Sequence, residues 1–403
     1  MRRVVVTGMG IVSSIGNNTA QVLHNLKQGN SGITAQKDYK ERNFRSHVAG
    51  TIKLNVEQAL SHRTRRFMGD GAAYSHIAMD EAIVDAGLEE KDISNVRTGL
   101  VVGSGGPSTS AIVRSAQIAL ERGVKKVGPT QVPKAMSSTC SANLATHFKI
   151  KGLSYSISSA CSTSAHCIGN ACELIQLDKQ DIVFAGGSEE LDWTFSLLFD
   201  AMGVLSSQYN ENPATASRPF DSDRDGFVIS GGAGILILEE LEHAKARGAK
   251  IYAELVGYGA TSDGADMVAP SGEGAMRCMR MAIKNTKGPV DYINAHATST
   301  PVGDVQEVNA IREVFGTKQP LISSTKSLTG HAQGAAGAHE AIYSILMLNQ
   351  EFICKSANIE SLDSTISDAN IALETIFNTN INTVLSNSFG FGGTNAALAF
   401  SRL

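Results

Sequence analysis

The sequence predicts an α/β protein assembled from two copies of one structural unit. Short apolar runs typical of buried strands alternate along the chain with segments of helical periodicity, which is the pattern of layered α/β folds. The run ISSACS at 157–162 is matched by ISSTKS at 322–327, and each run leads into a helix of small and aliphatic residues. Downstream of each helix, an apolar strand runs into glycines, at 182–187 and at 383–390. This matched order of elements indicates an internal duplication.

The first half opens with a strand over 3–7, followed by a helix that begins at Thr19 and ends before Gly29, a residue suited to a C′ position. Its other predicted elements alternate in the same way: a helix over 71–86, strands over 98–103, 181–187 and 234–239, and a helix over 241–247. The aperiodic segment 199–225 is predicted to be a loop and a pocket wall. A strand over 249–258 opens the second half, so we place the boundary between domains 1–247 and 248–403.

Composition narrows the class of protein. The 403 residues carry a net charge of −4, which gives no bulk electrostatic reason to bind nucleic acid or an anionic membrane. The six cysteines show no CxxC and no paired spacing, so we expect neither a disulfide framework nor a zinc site, and we expect a cytoplasmic protein. The first apolar run is too short for a signal peptide, and no window predicts a membrane span.

Cys161 lies where the first copy of the repeated unit turns from strand to helix. The run from Ile157 predicts a buried strand that ends at the cysteine. Helical spacing follows, at Ile168, Ala171, Cys172 and Ile175. A helix starting here would aim unpaired N–H groups at the thiol, and its dipole would stabilise a thiolate. The alternative for any single cysteine is an inert, buried apolar residue.

Three motifs of the second half bear on this choice: NAHATST at 294–300, TKSLTGH at 325–331 and NSFGFGGTN at 387–395. Together with Cys161, they make the sequence resemble the β-ketoacyl-[acyl carrier protein] synthases, most closely the synthase I type, from Val4 to Asn395. The order Cys, His, Lys, His followed by GFGGTN is highly specific. The resemblance implies a thiolase-like duplicated fold with five layers, α-β-α-β-α.

The resemblance also implies a reaction, the decarboxylating Claisen condensation of acyl- with malonyl-[acyl carrier protein] in fatty acid elongation. Cys161 would carry the acyl chain as a thioester. His296 and His331 would donate hydrogen bonds to the malonyl thioester as it becomes an enolate, and the N–H groups of Cys161 and Phe391 would form the oxyanion hole. No metal and no cofactor are implied, because loss of carbon dioxide generates the nucleophile and the substrates arrive on phosphopantetheine.

Supporting roles follow from the same resemblance. Lys326 would be a buried cation near His331, and Glu307 is the carboxylate that we expect beside it, since a buried ammonium needs a partner. Thr298 and Thr300 would bind the phosphopantetheine arm. Phe391 would gate the acyl pocket, the alternative being simple core packing. The candidate lining of the acyl tunnel is Phe199, Met202 and Phe227.

Partners are predicted in the same way. Because the carrier protein is acidic, two local basic clusters become a candidate docking patch, the alternative being a solvated face. These residues are Arg63, Arg65, Arg66, Lys125 and Lys126. Homodimerisation is implied by the family alone. His166, close to the nucleophile, is predicted to be structural.

Three positions depart from the family pattern. Ala297 replaces a usual glycine and would be strained if the backbone there needs a positive φ. Gln333 replaces a usual aliphatic residue, and Ser162 replaces a common alanine. We expect the reaction class to survive these changes, and we expect the first two to affect chain-length preference and rate.

Related enzymes provide the alternatives. A thiolase would place a second cysteine in the glycine-rich motif, where this chain has Phe391, and a synthase III would have asparagine in place of His331. A synthase II, a polyketide ketosynthase and a non-catalytic chain-length subunit remain as alternatives, the last disfavoured by the intact Cys161 and the two histidines.

Overall fold

The computed structural model describes residues 1–403, which form fourteen strands and sixteen α-helices. The strands are β1 (Val4–Val12), β2 (Ile33–Ala35), β3 (Val48–Gly50), β4 (Thr98–Ser104), β5 (Ser154–Tyr155), β6 (Ile182–Glu189), β7 (Gly232–Glu240), β8 (Ala253–Ser262), β9 (Tyr292–Asn294), β10 (Leu321–Ser323), β11 (Phe352–Ile353), β12 (Ile376–Phe377), β13 (Thr383–Gly390) and β14 (Thr394–Ser401).

The helices of the first half are α1 (Thr19–Gln28), α2 (Lys37–Glu41), α3 (Val56–Ala59), α4 (His62–Arg65), α5 (Asp70–Ala86), α6 (Glu90–Ile93), α7 (Thr109–Arg122), α8 (Gln131–Ala135), α9 (Thr139–His147), α10 (Thr163–Gln176), α11 (Trp193–Met202) and α12 (Leu241–Ala246). Those of the second half are α13 (Glu273–Ile283), α14 (Gly303–Phe315), α15 (Lys326–Thr329) and α16 (Ala336–Gln350). Short 3₁₀ turns lie at Val124–Lys126, Pro213–Thr215, Gln333–Ala335 and Ser364–Ile366. No helix combines the length and the apolar character needed to cross a membrane.

Sheet topology confirms the duplication. The first half orders its strands β5-β4-β6-β7-β1, and the second half orders its strands β10-β9-β13-β14-β8. In each half the first three strands of this order are parallel, and the fourth is antiparallel to both of its neighbours. The two halves therefore share one strand order and one pattern of strand directions. They meet where β1 and β8 pair over two positions, which joins all ten strands in one mixed sheet.

A shared helical layer lies between the two halves. Helix α10 packs on β4 and β6, α16 packs on β13, and the two helices pack on each other. The largest core cluster accordingly mixes side chains of both halves, among them Ile168 and Ile342. Helices α5 and α9 cover the outer face of the first half, and α13 covers that of the second. The predicted five-layered, thiolase-like order is confirmed. The boundary between residues 247 and 248 stays a prediction.

Most predicted helices and strands are present with small shifts of their ends. Helix α1 ends at Gln28 and is followed by Gly29 in the left-handed conformation, at φ 69°. The predicted loop over 199–225 is wrong at its start, because 199–202 belong to α11. This helix begins after Asp192, whose carboxylate accepts the Thr194 N–H, and it ends before Gly203 at φ 71°. Its apolar residues lie on all sides, so they show no helical stripe in the sequence.

The predicted strand before Cys161 is also wrong in position. Strand pairing covers only Ser154 and Tyr155, which are exposed on the edge of the sheet. The following residues use side chains instead of a ladder: the Ser156 Oγ donates to the Val102 carbonyl at 2.7 Å, and the Ser159 N–H donates to Thr163 Oγ1 at 2.8 Å. The chain then turns sharply at Ala160, whose φ is 50°. Helix α10 follows, and its four predicted core residues are all buried.

Candidate active site

The two halves together enclose a cavity of about 440 Å³ whose lining includes Cys161, His296 and His331. Cys161 precedes α10, His296 follows β9, and His331 follows α15. Strands β9 and β10 are parallel, so the residues after them emerge at the same edge of the sheet. Ligands of α/β proteins bind at this edge, beyond the carboxyl ends of the strands. The structure therefore brings the predicted nucleophile and both predicted histidines into one site.

The Cys161 thiol faces several polar groups. His331 Nε2 lies 2.9 Å from Sγ, and the thiol lies 3.8 Å from Gln333 Oε1, as donor to that oxygen. Burial raises the pKa of the Cys161 thiol to about 12, although Lys326 and the backbone N–H groups of Phe391 and Cys161 act to lower it. Burial thus opposes the expected thiolate, and the N–H groups and the lysine favour it, so a stabilised thiolate at Cys161 stays a prediction.

The oxyanion hole predicted from the sequence has the required backbone groups. The N–H groups of Cys161 and Phe391 both lie close enough to the sulfur to favour its charged form. A β-carbon on Gly390 would lie 3.1 Å from the Cys161 backbone nitrogen, so a side chain there would push the two N–H groups apart. The role of this pair in binding an oxyanion stays a prediction.

The two histidine rings lie nearly perpendicular, at 86°, with their centroids 5.2 Å apart. Burial, followed by the charge of Lys326, places the pKa of His296 and of His331 well below the ordinary value. Both imidazoles are therefore neutral near pH 7, and each carries a single N–H. The Nδ1 atoms of both rings are buried without a hydrogen-bond partner. For His331, the nitrogen with a polar partner is Nε2, and we assign its proton there.

The predicted carboxylate partner of Lys326 is wrong. The ammonium pairs with Glu340 of α16, and both residues are at least 98% buried. Glu307 instead accepts the N–H groups of His296 at 2.9 Å and Ala297 at 2.7 Å. It thereby fixes the turn that carries His296. Glu340 is the only acidic residue of α16, whose other residues are mostly small or apolar, and this is the sequence signal that indicates it.

Glu189 is a further residue that the sequence analysis missed. This fully buried carboxylate accepts the N–H of Gly105 at 2.9 Å, of Gly106 at 3.2 Å and of Gly334 at 2.9 Å. Burial raises its pKa to about 7 against the effect of these hydrogen bonds. Because Gly334 follows Gln333, Glu189 ties the first half to the segment that carries His331. An acidic residue at the end of an apolar strand is the signal for it.

Two of the three departures from the family pattern prove to be structural contacts. The fully buried Ser162 hydroxyl lies 2.8 Å from the Ser388 carbonyl and 2.9 Å from that of Thr394, in the two strands that flank the glycine-rich turn. Gln333 contacts the nucleophile. The strain expected at Ala297 is absent, because this residue does not have a positive φ, whereas Gln333 does, at 48°.

The cavity also contains most of the predicted substrate-binding residues. Thr298 and Thr300 line it, with their hydroxyl oxygens 3.3 Å apart. Phe199, Phe227 and Phe391 line it as well. Their roles stay predictions, including the gating role of Phe391.

Met202 is the exception among the predicted lining residues. It lies at the end of α11 with 49% of its surface exposed, and it does not line the cavity. Its assignment to the acyl tunnel stays a prediction.

The predicted docking residues lie outside the cavity, on helix α4, on the residue that follows it and on the 3₁₀ turn after α7. Four of them are exposed, and Arg65 is half-buried beside Glu57, with 3.1 Å between the charged groups. Their role in docking stays a prediction.

His166 accepts or donates a 2.7 Å hydrogen bond with Ser159, two residues before the nucleophile, and so supports the turn at Ala160.

Cys161, His296 and His331 place their ligand atoms within 4.8 Å of one another, and these donor types also suit a soft metal ion. However, Lys326 already contributes a positive charge next to all three. Neither Nδ1 atom has the oxygen acceptor that a metal-bound histidine normally uses. The arrangement is therefore better suited to covalent chemistry at the thiol, with two neutral N–H donors beside it.

Comparison with known proteins adds independent information. A sequence profile described as "Beta-ketoacyl synthase, N-terminal domain" matches residues 1–244, and one described as "Beta-ketoacyl synthase, C-terminal domain" matches residues 252–360. The chain is 61% identical over 403 residues to "3-oxoacyl-[acyl-carrier-protein] synthase 1" of Haemophilus influenzae, covering all of this chain and 99% of the relative. It is 59% identical over 405 residues to the protein of the same name from Escherichia coli K12, covering both chains completely.

Solved structures agree in fold over the whole chain. A β-ketoacyl synthase from Burkholderia phymatum superposes with a TM-score of 0.93 at 35% sequence identity, with full coverage of both chains. A structure described as a type II PKS acyl-carrier protein in complex with its ketosynthase, bound to the hexaketide, superposes with a TM-score of 0.90 at 31% identity, again with full coverage.

Proposed function

Because the chain belongs to the β-ketoacyl synthase family, we propose that it is a 3-oxoacyl-[acyl-carrier-protein] synthase, the condensing acyltransferase of fatty acid elongation. The observation that carries this proposal is the buried thiol of Cys161 in contact with His331 and beside His296, in one cavity. The reaction joins an acyl-[acyl carrier protein] to a malonyl-[acyl carrier protein], and it yields a 3-oxoacyl-[acyl carrier protein], free carrier protein and carbon dioxide. The relatives that are 59% and 61% identical bear the synthase 1 name, which favours that type over synthase II.

The first step loads the acyl chain on Cys161. The sulfur attacks the carbonyl carbon of the acyl thioester, and the carbonyl oxygen becomes an oxyanion facing the N–H groups of Cys161 and Phe391. The carrier sulfur then leaves and takes the proton that the thiol gives up. Since burial raises the pKa of Cys161 to about 12, this proton leaves during the attack, and the Nε2–H of His331 stabilises the negative sulfur as it forms.

The second step generates the carbon nucleophile. The neutral imidazoles of His296 and His331 donate hydrogen bonds to the thioester oxygen of the malonyl group, where negative charge develops. The bond to the carboxylate breaks, carbon dioxide leaves, and its electron pair forms the enolate. The enolate carbon attacks the acyl carbonyl on Cys161, and the sulfur leaves and is reprotonated by solvent. The low histidine pKa values keep both imidazoles neutral, so each offers one N–H to the thioester oxygen.

The Lys326–Glu340 ion pair does not line the cavity and affects the histidines through its charge. Its ammonium is one of the causes that keep both imidazoles neutral. Thr298 and Thr300 offer hydroxyl groups to the amides of a phosphopantetheine arm entering the cavity. The aromatic residues Phe199 and Phe227, with ring centroids 5.6 Å apart, form an apolar wall for the acyl chain.

We infer that the carrier protein docks on the exposed basic residues of α4 and of the turn after α7, and the charge of this surface supports an acidic partner. The solved complex of a related ketosynthase with its acyl-carrier protein is a precedent. A cytoplasmic location is supported by six free cysteines. A homodimer is supported by β5, an edge strand: Tyr155 within it is 36% exposed, and Leu153 just before it is 40% exposed.

The test of the proposed function is acyl transfer to the protein. Incubation with acyl-[acyl carrier protein] should add the acyl mass to the peptide that carries Cys161, and later addition of malonyl-[acyl carrier protein] should remove it as 3-oxoacyl product. Cys161→Ala should show no adduct. Cys354→Ala, which changes a buried cysteine outside the cavity, should behave like the native protein. A folded native protein that gains no acyl mass would contradict the proposal.

A further inference from the structure

Gln333 is a polar residue in a strained backbone conformation on the wall of the cavity. It is 4% exposed, it lines the cavity, and its backbone has a φ of 48°, which costs free energy for any residue with a β-carbon. Its neighbours hold it there: the His331 N–H donates to the Val228 carbonyl at 2.7 Å, and the Gly334 N–H donates to Glu189 at 2.9 Å. The backbone on both sides is thus fixed, and the side chain has a defined direction.

That direction leads to the nucleophile. Gln333 Oε1 lies 3.8 Å from the Cys161 sulfur, which is within reach of an S–H donor, while Nε2 of the same amide donates to the His331 carbonyl at 3.4 Å. His331 Nε2, which carries the ring proton, lies 2.9 Å from the same sulfur. The sulfur therefore accepts a hydrogen bond from His331, and its own proton points to Gln333.

We propose that Gln333 is a catalytic residue: its amide oxygen accepts a hydrogen bond from the Cys161 thiol in the resting protein, and the amide rotates to donate an N–H to the sulfur once the thiol has lost its proton. The proposal rests on the function proposed above. A primary amide carries an acceptor and two donors on one planar group, and rotation about its last torsion is soft. An aliphatic side chain at this position provides neither interaction.

The amide should favour the charged sulfur over the neutral one. A hydrogen bond donated to an anion is stronger than one accepted from a neutral thiol, so Gln333 stabilises the thiolate more than it stabilises the thiol. The other groups around the sulfur are Lys326, which favours the thiolate, Glu189, which opposes it, and the two neutral histidines. A change at Gln333 leaves all four in place, so its effect on the thiol isolates the amide.

Two substitutions separate hydrogen bonding from packing. Gln333→Met keeps an unbranched side chain of similar length without donors or acceptors, and Gln333→Glu keeps the shape and the acceptor but removes the donors and adds negative charge. Gln306→Met is the matched control, because Gln306 lines the same cavity and makes no hydrogen bond to Cys161. All three are made in the full-length protein, and Gln333→Leu replaces the methionine variant if that one fails to fold.

The measurement is the rate at which iodoacetamide alkylates Cys161 across a pH series, with the modified peptide identified by mass. Gln333→Met should react about tenfold more slowly than the native protein at neutral pH, as expected for a thiol pKa raised by about one unit. Gln333→Glu should be slower still, and Gln306→Met should match the native rate. In condensation assays, Gln333→Met should lower the rate of acyl transfer to Cys161 and leave decarboxylation of the malonyl substrate within about twofold of native.

A native alkylation profile in Gln333→Met would overturn the proposal, and so would equal profiles for the methionine and glutamate variants. Neither result bears on the condensing function, which is tested by acyl transfer to the native protein. Conversely, if Cys161 of the native protein is alkylated normally but accepts no acyl chain, that result contradicts the proposed function. It does not contradict the contact between Gln333 and the thiol.

Discussion

Cys161 and Lys326 occupy the same position in the two copies of the repeated unit, the fifth residue of ISSACS and the fifth of ISSTKS. Each follows the strand at the outer edge of the sheet in its half, β5 or β10, at the start of a helical segment. Yet Cys161 lines the cavity, whereas Lys326 is 1% exposed, does not line the cavity and is paired with Glu340. The duplicated backbone fixes where a side chain emerges, and the packing around it decides whether that side chain reaches the substrate or acts through its charge.

The serines that follow show the same divergence. Ser162 lies against the Ser388 and Thr394 carbonyls and so supports the glycine-rich turn of the other half. Ser327 donates to the Ser324 carbonyl at 2.9 Å and accepts the Ala357 N–H at 2.9 Å, both within its own half. One copy of the unit therefore joins the halves across the site, and the other stabilises its own fold.

The largest expected effect comes from removing the group that reaches the substrate. Cys161→Ala should abolish condensation, because no other group in the cavity can hold the acyl chain as a thioester. The free energy of unfolding should change little, since the substitution removes one sulfur atom and leaves no buried charge without its partner. Product formation is measured by mass spectrometry of the carrier protein, with Cys354→Ala as the control. Residual condensation well above background would show that acyl transfer does not need this thiol.

Removing the equivalent group of the second half should instead affect stability. Lys326→Met leaves Glu340 buried without its cation, which lowers the free energy of unfolding by about 3–5 kcal/mol. Burial already raises the pKa of Glu340 to about 7 in the native protein, and loss of Lys326 raises it further. A carboxyl group whose pKa is higher in the folded than in the unfolded protein loses stability as pH rises, so the variant should be weakest at alkaline pH.

This second effect is measured by urea denaturation between pH 6 and pH 9. The double variant Lys326→Met with Glu340→Gln carries no buried charge, and it should recover part of the lost stability and lose the added pH dependence. Equal stability of Lys326→Met and the native protein across this range would contradict the buried ion pair.

His296→Ala should reduce decarboxylation of the malonyl substrate on the order of 10²-fold to 10³-fold, as expected for loss of one donor to a developing oxyanion. The folded pKa values of His296 and His331 lie well below the ordinary value of 6.5, so native decarboxylation should not fall when pH is lowered from 8 to 6. Release of carbon dioxide against pH is the measurement. A decline centred near the ordinary histidine pKa would show that the imidazoles are hydrated in the working protein.

The smallest effect is expected from the paired serines. Ser162→Ala should cost about 1 kcal/mol of unfolding free energy through the lost hydrogen bonds, and it should also change the condensation rate, because it loosens the turn that carries the Phe391 N–H. Ser327→Ala, at the equivalent position, should cost a similar free energy without that change in rate. If both variants lose activity equally, the difference between the two copies does not extend to these serines.

Much of this arrangement was predictable from the sequence, because it depends on local pattern and on order along the chain. The repeat, the helix after Cys161 and the convergence of Cys161, His296 and His331 are all confirmed. The predicted partner of Lys326 is wrong, because Glu307 and Glu340 are both acidic residues on helices of the second half and only packing distinguishes them.

Other features could not be predicted, because they depend on long-range contacts. Glu189 finds its donors in two loops that lie apart in the sequence, Gly105–Gly106 and Gly334. The net pKa of Cys161 depends on how completely water is excluded, which no motif records.

The central claim is that Cys161 holds the growing chain while the second half holds the extender, and the two partial reactions test it directly. Acyl mass on Cys161 and release of carbon dioxide from malonyl-[acyl carrier protein] are measured separately in Cys161→Ala and in His296→Ala. We predict that Cys161→Ala still releases carbon dioxide without carrying acyl mass, and that His296→Ala carries acyl mass with little release of carbon dioxide. Loss of both partial reactions in both variants would contradict this division of work.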